Sequence, residues 1–289
     1  MIKNVKNRVW AFDLEWVPDP VAGRLLYGVP EDVTDPAEVM QVMWQQGGAT
    51  EEDPTPFLKT ALCRVVSVAA LERRERRDGS VSLNLMSLPH NAEDPEESSE
   101  ASVVGTFLEA LGTNRPQLVG FNSLHSDLKI LIQRGVILGV PAPGFCERPE
   151  KPWEGIDYFG RGSDWNVDLK EILGGWGLVN PSLHEIAVQS GIPGKMGVDG
   201  NDVAPLWLEG KLDRIVQYNE FDAVTTYLVW LRLAHFAGHF DDEAYSREQQ
   251  MVADLLQVEI TKGDRQHLAD YLNEWQRLHD VVEEFRIQE

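Results

Sequence analysis

The sequence predicts an α/β fold: a mixed β-sheet flanked by α-helices, with a helical C-terminal extension. Three observations carry this expectation. Strand-like runs recur between Val9 and Phe121, two of them joined by an Asp78-Gly79 hairpin signal. Strands then alternate with stretches of helical period as far as Ser190. From Leu212 onward the apolar spacing is helical throughout.

The elements follow in order. Val9–Trp16 alternates along a strand, carries Asp13 and Glu15, and stops before a Pro18/Pro20 break. Residues 17–60 are rich in Pro, Gly and acid, with one helical stretch at Pro36–Gln46. Arg64–Leu71 is a β-branched strand, and Val81–Leu88 returns beside it after the hairpin. Asn91–Glu100 is an acidic loop, Val103–Leu111 a helix ending at Gly112, and Gln117–Phe121 a fourth strand. Ser126–Gly135 spaces Leu128, Leu131 and Ile132 as a helix; a Pro- and Gly-rich loop over residues 141–165 leads to a short fifth strand, Asn166–Leu169. Ser182 and Glu185 form a capping box that opens a helix to Ser190. The loop Gly191–Asp202 precedes a long amphipathic helix, Leu212–Phe236, ended by Gly238, and two more helices joined at Gly263 complete the chain. The organisation expected is a domain over residues 1–240 and a helical extension over 241–289 packed on or near it.

The 289 residues suffice for a sizeable core, and a hydrophobic content of 43% excludes global disorder. With 47 Asp and Glu against 26 Lys and Arg the net charge is −21, which argues against nonspecific duplex binding through counterion release. Two cysteines, Cys63 and Cys146, make neither a disulfide framework nor a zinc cluster. No signal-peptide pattern follows Met1, and no apolar run approaches the ~18 residues of a membrane span. The expectation is a cytoplasmic protein without membrane contact.

Three motifs carry chemistry. Asp13 and Glu15, two apart on a strand, project from the same face, where two repelling carboxylates call for a divalent cation or for solvent. Asp127 opens a helix just beyond the fourth strand, where a carboxylate also complements the helix dipole. Tyr218 and Asp222, four apart, share one face of the long helix, whose Ile215, Val224 and Leu228 place it against the core. Four carboxylates gathered at a sheet edge are what a two-metal phosphoryl-transfer site requires.

In order and spacing, Phe12-Asp13-Leu14-Glu15, Phe121-Asn122-x4-Asp127 and Tyr218-x3-Asp222 resemble the three motifs of the DEDD 3′–5′ exonucleases. The tyrosine four residues before the last Asp is similar to the DEDDy branch. Within it the chain resembles the bacterial predicted 3′–5′ exonucleases related to the exonuclease domain of family-B DNA polymerases, with Val167-Asp168-Leu169 and Gly191-Ile192-Pro193-Gly194-Lys195 as further support. The resemblance implies an RNase H-like fold, two divalent metal ions (Mg²⁺ or Mn²⁺), and release of nucleoside monophosphates from the 3′ ends of single-stranded DNA or RNA. It implies Asp13, Glu15, Asp127 and Asp222 as metal ligands, Asp13 bridging both ions, and Tyr218 as the residue that orients the attacking water. Leu14, Trp16, Phe121, Asn122 and Lys195 are the substrate contacts it implies. The chain departs from the family pattern at Trp16, Ser126 and Lys129, where Thr, Phe and Pro are usual.

Other features have two readings each. The basic run Arg73–Arg77 at the hairpin tip is either a phosphate grip or a solvated turn, and Trp16, Trp153 and Trp165 are candidates for base stacking. The amphipathic tail is a candidate interface for a protein partner or a second copy. A non-catalytic subunit that binds nucleic-acid ends, or a nucleotide hydrolase with the same metals, stays open beside the exonuclease.

Overall fold

The computed structural model describes all residues except 152–153, 161, 176–178, 198–199 and 288–289. Five strands, β1 (Arg8–Pro18), β2 (Cys63–Glu75), β3 (Val81–Leu88), β4 (Gln117–Gly120) and β5 (Asn166–Asp168), form one sheet in the order β3-β2-β1-β4-β5. β1, β2 and β3 run antiparallel, whereas β4 and β5 run parallel to β1. This mixed sheet flanked by helices is the RNase H-like α/β architecture the sequence led us to expect.

Helices α1 (Pro20–Tyr27) and α2 (Pro36–Gln46) lie between β1 and β2. The parallel strands are linked by α3 (Glu100–Asn114), then by α4 (Asp127–Leu138) and the short α5 (Pro143–Cys146). After β5 come α6 (Leu169–Gly174), α7 (Leu183–Gln189), α8 (Val203–Leu208), α9 (Leu212–Phe236), α10 (Asp242–Lys262) and α11 (Leu268–Ile287). None of the described helices is long and apolar enough to cross a membrane.

The period-2 pattern of β1 divides the core. Trp10, Phe12 and Leu14 pack with Val104, Phe107 and Leu131 of α3 and α4 on one face. Val9 and Ala11 pack with Val224, Leu228 and Leu231 of α9 on the other. Asp13 and Glu15 continue this second row, so the pleat alone carries both carboxylates under α9. Beyond Glu15, β2 holds one extra residue, Val66, because Glu15 pairs with Ser67 and Trp16 with Val65. This bulge bends the strand, and Val66 joins Val17, Met40 and Ile215 in a small core around Tyr218.

Several boundaries differ from the sequence reading for local reasons. The Pro18/Pro20 break starts a helix instead: Asp19 caps it by accepting from the Val21 N–H, and Pro20 stands in the first turn, where its missing N–H costs nothing. The α3 helix runs through Gly112 to Asn114, because this glycine serves close packing; a Cβ there would lie 2.9 Å from the Phe145 nitrogen. Similarly, α4 passes Gly135 and ends at Gly139, which takes the left-handed conformation at φ 68°. Leu169 is the first residue of α6, not the last of a strand, since Asp168 turns the chain by capping that helix. Helix α8 lies just beyond the loop 191–202 and contributes Val203 and Ala204 to the core around Tyr218.

The hairpin charges separate into two kinds. Arg74, Arg76 and Arg77 are exposed, but Arg73 is buried and bonds Glu248 of α10, with Nη2 2.6 Å from Oε1. The Tyr227 hydroxyl donates to the same carboxylate at 2.9 Å. Arg73 therefore fastens α10 to the sheet rather than gripping phosphate. It also lies six residues along β2 from Ser67, the partner of Glu15, roughly 20 Å at the rise of a strand.

Removing one partner of a buried ion pair leaves an uncompensated charge. Glu248→Ala should lower unfolding stability by about 3–5 kcal/mol in urea titrations, and joint replacement of Arg73 and Glu248 by Met should cost much less.

Candidate active site

Asp127 reaches the acidic pair through the way the parallel ladder ends. β1 pairs with β4 only from Val9 to Ala11, so the β4-facing edge of β1 is open beyond that point. The Leu14 N–H on that edge is satisfied by Asp127 Oδ1 at 3.2 Å. A sharp turn after β4 makes this contact. Gly120 admits the turn, since a Cβ there would lie 2.5 Å from the Ser123 Cβ, and Asn122 reverses the chain with φ 66°. Ser126 Oγ then lies 2.7 Å from both the Asn122 carbonyl and Asp127 Oδ2.

Asp168 holds this turn from the neighbouring strand. Its buried carboxylate accepts from the N–H groups of Asn122 at 2.9 Å, Leu124 at 3.0 Å and Lys170 at 2.9 Å. It is a buried acid satisfied by backbone, which explains how an unpaired carboxylate persists there.

Helix α9 closes the site from above. Its rotation is fixed by hydrogen bonds to the sheet: Asn219 Nδ2 donates to Ser67 Oγ at 3.0 Å, and Ser87 Oγ donates to Glu220 at 2.6 Å. Those bonds aim the Tyr218–Asp222 face at Asp13 and Glu15. Asp13, Glu15 and Asp222 each offer a carboxylate oxygen, and the three oxygens lie within 4.8 Å of one another. Glu15 and Asp127 are buried and Asp13 and Asp222 partly so.

Such a cluster resists ionisation. Two unit charges this close repel by about 3–4 kcal/mol at an effective dielectric near 20. Burial pushes the Asp13 carboxyl well above the usual range, and the charges of Asp127, Asp222 and Glu15 add to it. Glu15 is raised likewise, by burial and then by Asp222 and Asp127. Burial pushes both Asp127 and Asp222 up to about 6. Asp127 is held from going higher by the bonds from Ser126 and Leu14, and Asp222 by its bond with Tyr218 and the charge of Lys195. Tyr218 is driven far above the ordinary phenol value by burial and by Asp222, Glu15 and Asp13, so its hydroxyl keeps its proton.

The donor set consists of carboxylate oxygens, hard ligands that suit Mg²⁺ or Mn²⁺ and contain none of the thiolate or imidazole that zinc prefers. The residues present therefore fit divalent cations of this class.

The residues singled out in the sequence fall into two groups. Asp13, Leu14, Glu15, Trp16, Tyr218 and Asp222 line one cleft. Lys195 stands near it: its charge acts on Asp222, and its N–H donates to His184 Nδ1 at 3.0 Å. Thr225 Oγ1 of α9 anchors its loop by donating to the Pro193 carbonyl at 3.0 Å. Phe121 and Asn122 lie in the β4–α4 turn, where Phe121 packs on the α9-side core and Asn122 Nδ2 donates to Ser126 Oγ. Trp165 immediately precedes β5, at the end of the parallel strands opposite the site, beneath the Lys6 ammonium at 4.9 Å. Trp153 lies outside the described residues.

Sequence reasoning passed over three residues. Asp168 falls inside the strand expected over Asn166–Leu169, and its only signal is the Val167-Asp168-Leu169 run that supports the family resemblance. Trp44 and Phe57, which also line the cleft, gave no signal beyond being aromatic.

The fold and the cleft define the class: an RNase H-like protein with an acidic cluster suited to divalent cations at the carboxyl ends of its parallel strands. Residues 55–275, about three-quarters of the chain, match the family described as predicted 3′–5′ exonucleases related to the exonuclease domain of PolB, and the chain belongs to that family. Membership supports an exonuclease acting on nucleic acid. The matched region holds Asp127, Tyr218 and Asp222, whereas Asp13 and Glu15 precede it. Among curated proteins, none matches this chain.

The raised carboxyls make stability depend on pH with a definite sign. A group whose folded pKa lies above its unfolded value stabilises fully below the unfolded value and loses that contribution as pH rises through the folded one. For Asp222 the window is about 3.8 to about 6. In EDTA, the wild type should lose roughly 2–3 kcal/mol more stability than Asp222→Asn on going from pH 4 to pH 7. Mn²⁺ at pH 7 should restore the melting temperature of the wild type and leave that of the variant nearly unmoved.

Proposed function

We propose that the protein is a metal-dependent 3′–5′ exonuclease of the DEDDy type. In this reading it hydrolyses phosphodiester bonds at the 3′ ends of single-stranded nucleic acid, DNA in preference to RNA, and releases nucleoside 5′-monophosphates. The observation that carries the proposal is the convergence of Asp13, Glu15 and Asp222 on one point, with Asp127 beside them. By its place in the first motif, Asp13 would be the carboxylate shared by two ions. Glu15 and Asp222 would complete one ion site and Asp127 the other. When bound, the ions would activate a water and stabilise the charge that develops on the phosphate.

The chain's own groups then have limited tasks. Tyr218 retains its proton and so cannot accept one from water; it orients by donating its O–H, now shared with the Asp222 carboxylate. Leu14 and Trp16 bound the cleft beside the acidic pair. Asn122 and Phe121 shape the turn that presents Asp127. Lys195 tempers the negative field at Asp222 and would be the cation nearest an incoming phosphate. The sheet-facing side of α10 fastens the C-terminal helices to this domain, leaving their outer faces for a protein partner or a second copy.

A 5′-labelled single-stranded DNA and its RNA counterpart, incubated with Mg²⁺ or Mn²⁺, should shorten stepwise from the 3′ end. EDTA, Asp13→Asn and Asp222→Asn should each abolish the ladder. Tyr218→Phe should slow cleavage by about 10- to 100-fold, toward the low side of the ~10²–10⁴-fold effect of general acid–base residues. A full-rate Asp222→Asn enzyme would overturn the assignment.

A further inference from the structure

The hairpin that joins β2 to β3 carries a charge pattern that the acidic cluster does not explain. Four of the chain's 26 Lys and Arg fall within Arg73–Arg77. Arg73 is buried against Glu248, but Arg74, Arg76 and Arg77 are exposed. The acids around them are already engaged. Glu72 accepts from Trp10 Nε1 at 3.1 Å and pairs with Arg8 at 3.0 Å, and Glu75 pairs with Arg73 at 3.1 Å. Asp78 Oδ1 accepts from the Ser80 N–H at 2.9 Å and the Ser80 hydroxyl at 2.7 Å, which ties it into the turn that Gly79 makes with φ 80°. The charge of Arg76 acts on Asp78, and the side chains of Arg74 and Arg77 form no ion pair among the described residues.

Stability does not account for these charges. Arg74 stands directly opposite Arg8 across the β1–β2 ladder, and like charges facing each other in a sheet destabilise it. The result is a local excess of positive charge on a chain of net −21. Such a body repels a polyanion over most of its surface, and a guanidinium is the cation whose planar fork best matches a phosphate. The cleft supplies no grip of this kind, since no Lys or Arg is found among the described residues that line it. The hairpin lies at the other end of β1: Arg8, opposite Arg74, precedes Glu15 by seven residues, roughly 23 Å at the rise of a strand.

We infer that Arg74, Arg76 and Arg77 form a second nucleic-acid contact, a phosphate grip remote from the acidic cleft that holds the body of a strand whose 3′ end lies in the cleft. The inference rests on the exonuclease reading for the identity of the polyanion and for the placement of that end. The contact is with the backbone alone, so it is blind to sequence. At ~3.4 Å per stacked nucleotide the two sites are about seven nucleotides apart or more, so the grip serves only longer strands.

The test is fluorescence anisotropy with a 5′-labelled single-stranded DNA of about 20 nucleotides in EDTA, where nothing is cleaved. Joint replacement of Arg74, Arg76 and Arg77 by Ala, all changes on the surface, should weaken binding by about 10- to 100-fold at low salt. It should also lower the slope of log affinity against log salt by about 2 in magnitude, since each neutralised phosphate of a single strand contributes ~0.7. Joint replacement by Lys should keep the slope, because the charge is retained. Polyglutamate of the same charge should compete poorly with the labelled DNA. Wild-type affinity or an unchanged slope in the Ala variant would overturn the inference and leave a solvated turn. Competition by polyglutamate equal to that by unlabelled DNA would overturn it in favour of an acidic protein partner. If a parallel assay in Mg²⁺ shows no hydrolysis but the Ala variant still loses affinity and slope, the exonuclease reading falls and the phosphate grip stands. If the wild type hydrolyses the strand and the Ala variant keeps both affinity and slope, the phosphate grip alone falls.

Discussion

Mutual repulsion among four carboxylates is the constraint around which this molecule is built. Asp13, Glu15, Asp127 and Asp222 come from a strand, a helix start and a late helix, and no Lys or Arg is found among the described residues that line the cleft. Burial and proximity both oppose their charge, so the apoprotein holds its cluster at a cost that a divalent cation would turn into a gain. The rest of the fold resists the spreading that repulsion would otherwise bring about.

The resistance comes from bonds just outside the cluster. Asp168 and Ser126 lock the turn that presents Asp127, and Asn219 and Glu220 lock α9 against β2 and β3. Arg134 of α4 joins Glu100 of α3 at 2.6 Å and Asp19, just past β1, at 2.8 Å, so the helix bearing Asp127 is tied to the strand bearing Asp13. On the far side, Arg73 and Glu248 make the C-terminal helices part of the support for α9. A site of this kind needs its carboxylates at fixed separations, and rigid elements hold them better than loops do.

Much of this was legible in the chain. The strand pairing of Asp13 with Glu15 follows from a period of two, and the shared face of Tyr218 and Asp222 from a period of 3.6. These local rules place each carboxylate on its element, and the ordered spacing of the motifs brings the elements together. What escaped was of two sorts. Proline and glycine were read as breaks where they serve other ends: Pro20 begins a helix behind the Asp19 cap, and Gly112 is a point of close packing inside one. Residues whose meaning depends on distant partners also escaped. Arg73 looks solvated in a charged hairpin until Glu248, 175 residues away, is seen beside it. Phe57 looks like any loop aromatic until the acidic cleft is seen beneath it. Such contacts are set by tertiary packing, which local pattern does not encode.

Whether the carboxylates form a cation site is open to a single observation: the anomalous difference density of crystals soaked in Mn²⁺. Coordination predicts a peak within about 2–2.6 Å of oxygens from Asp13, Glu15 and Asp222, with a second near Asp13 and Asp127. A cleft without density at saturating Mn²⁺, or an ion held only by surface carboxylates elsewhere, would show that the fold confines these charges for some other purpose.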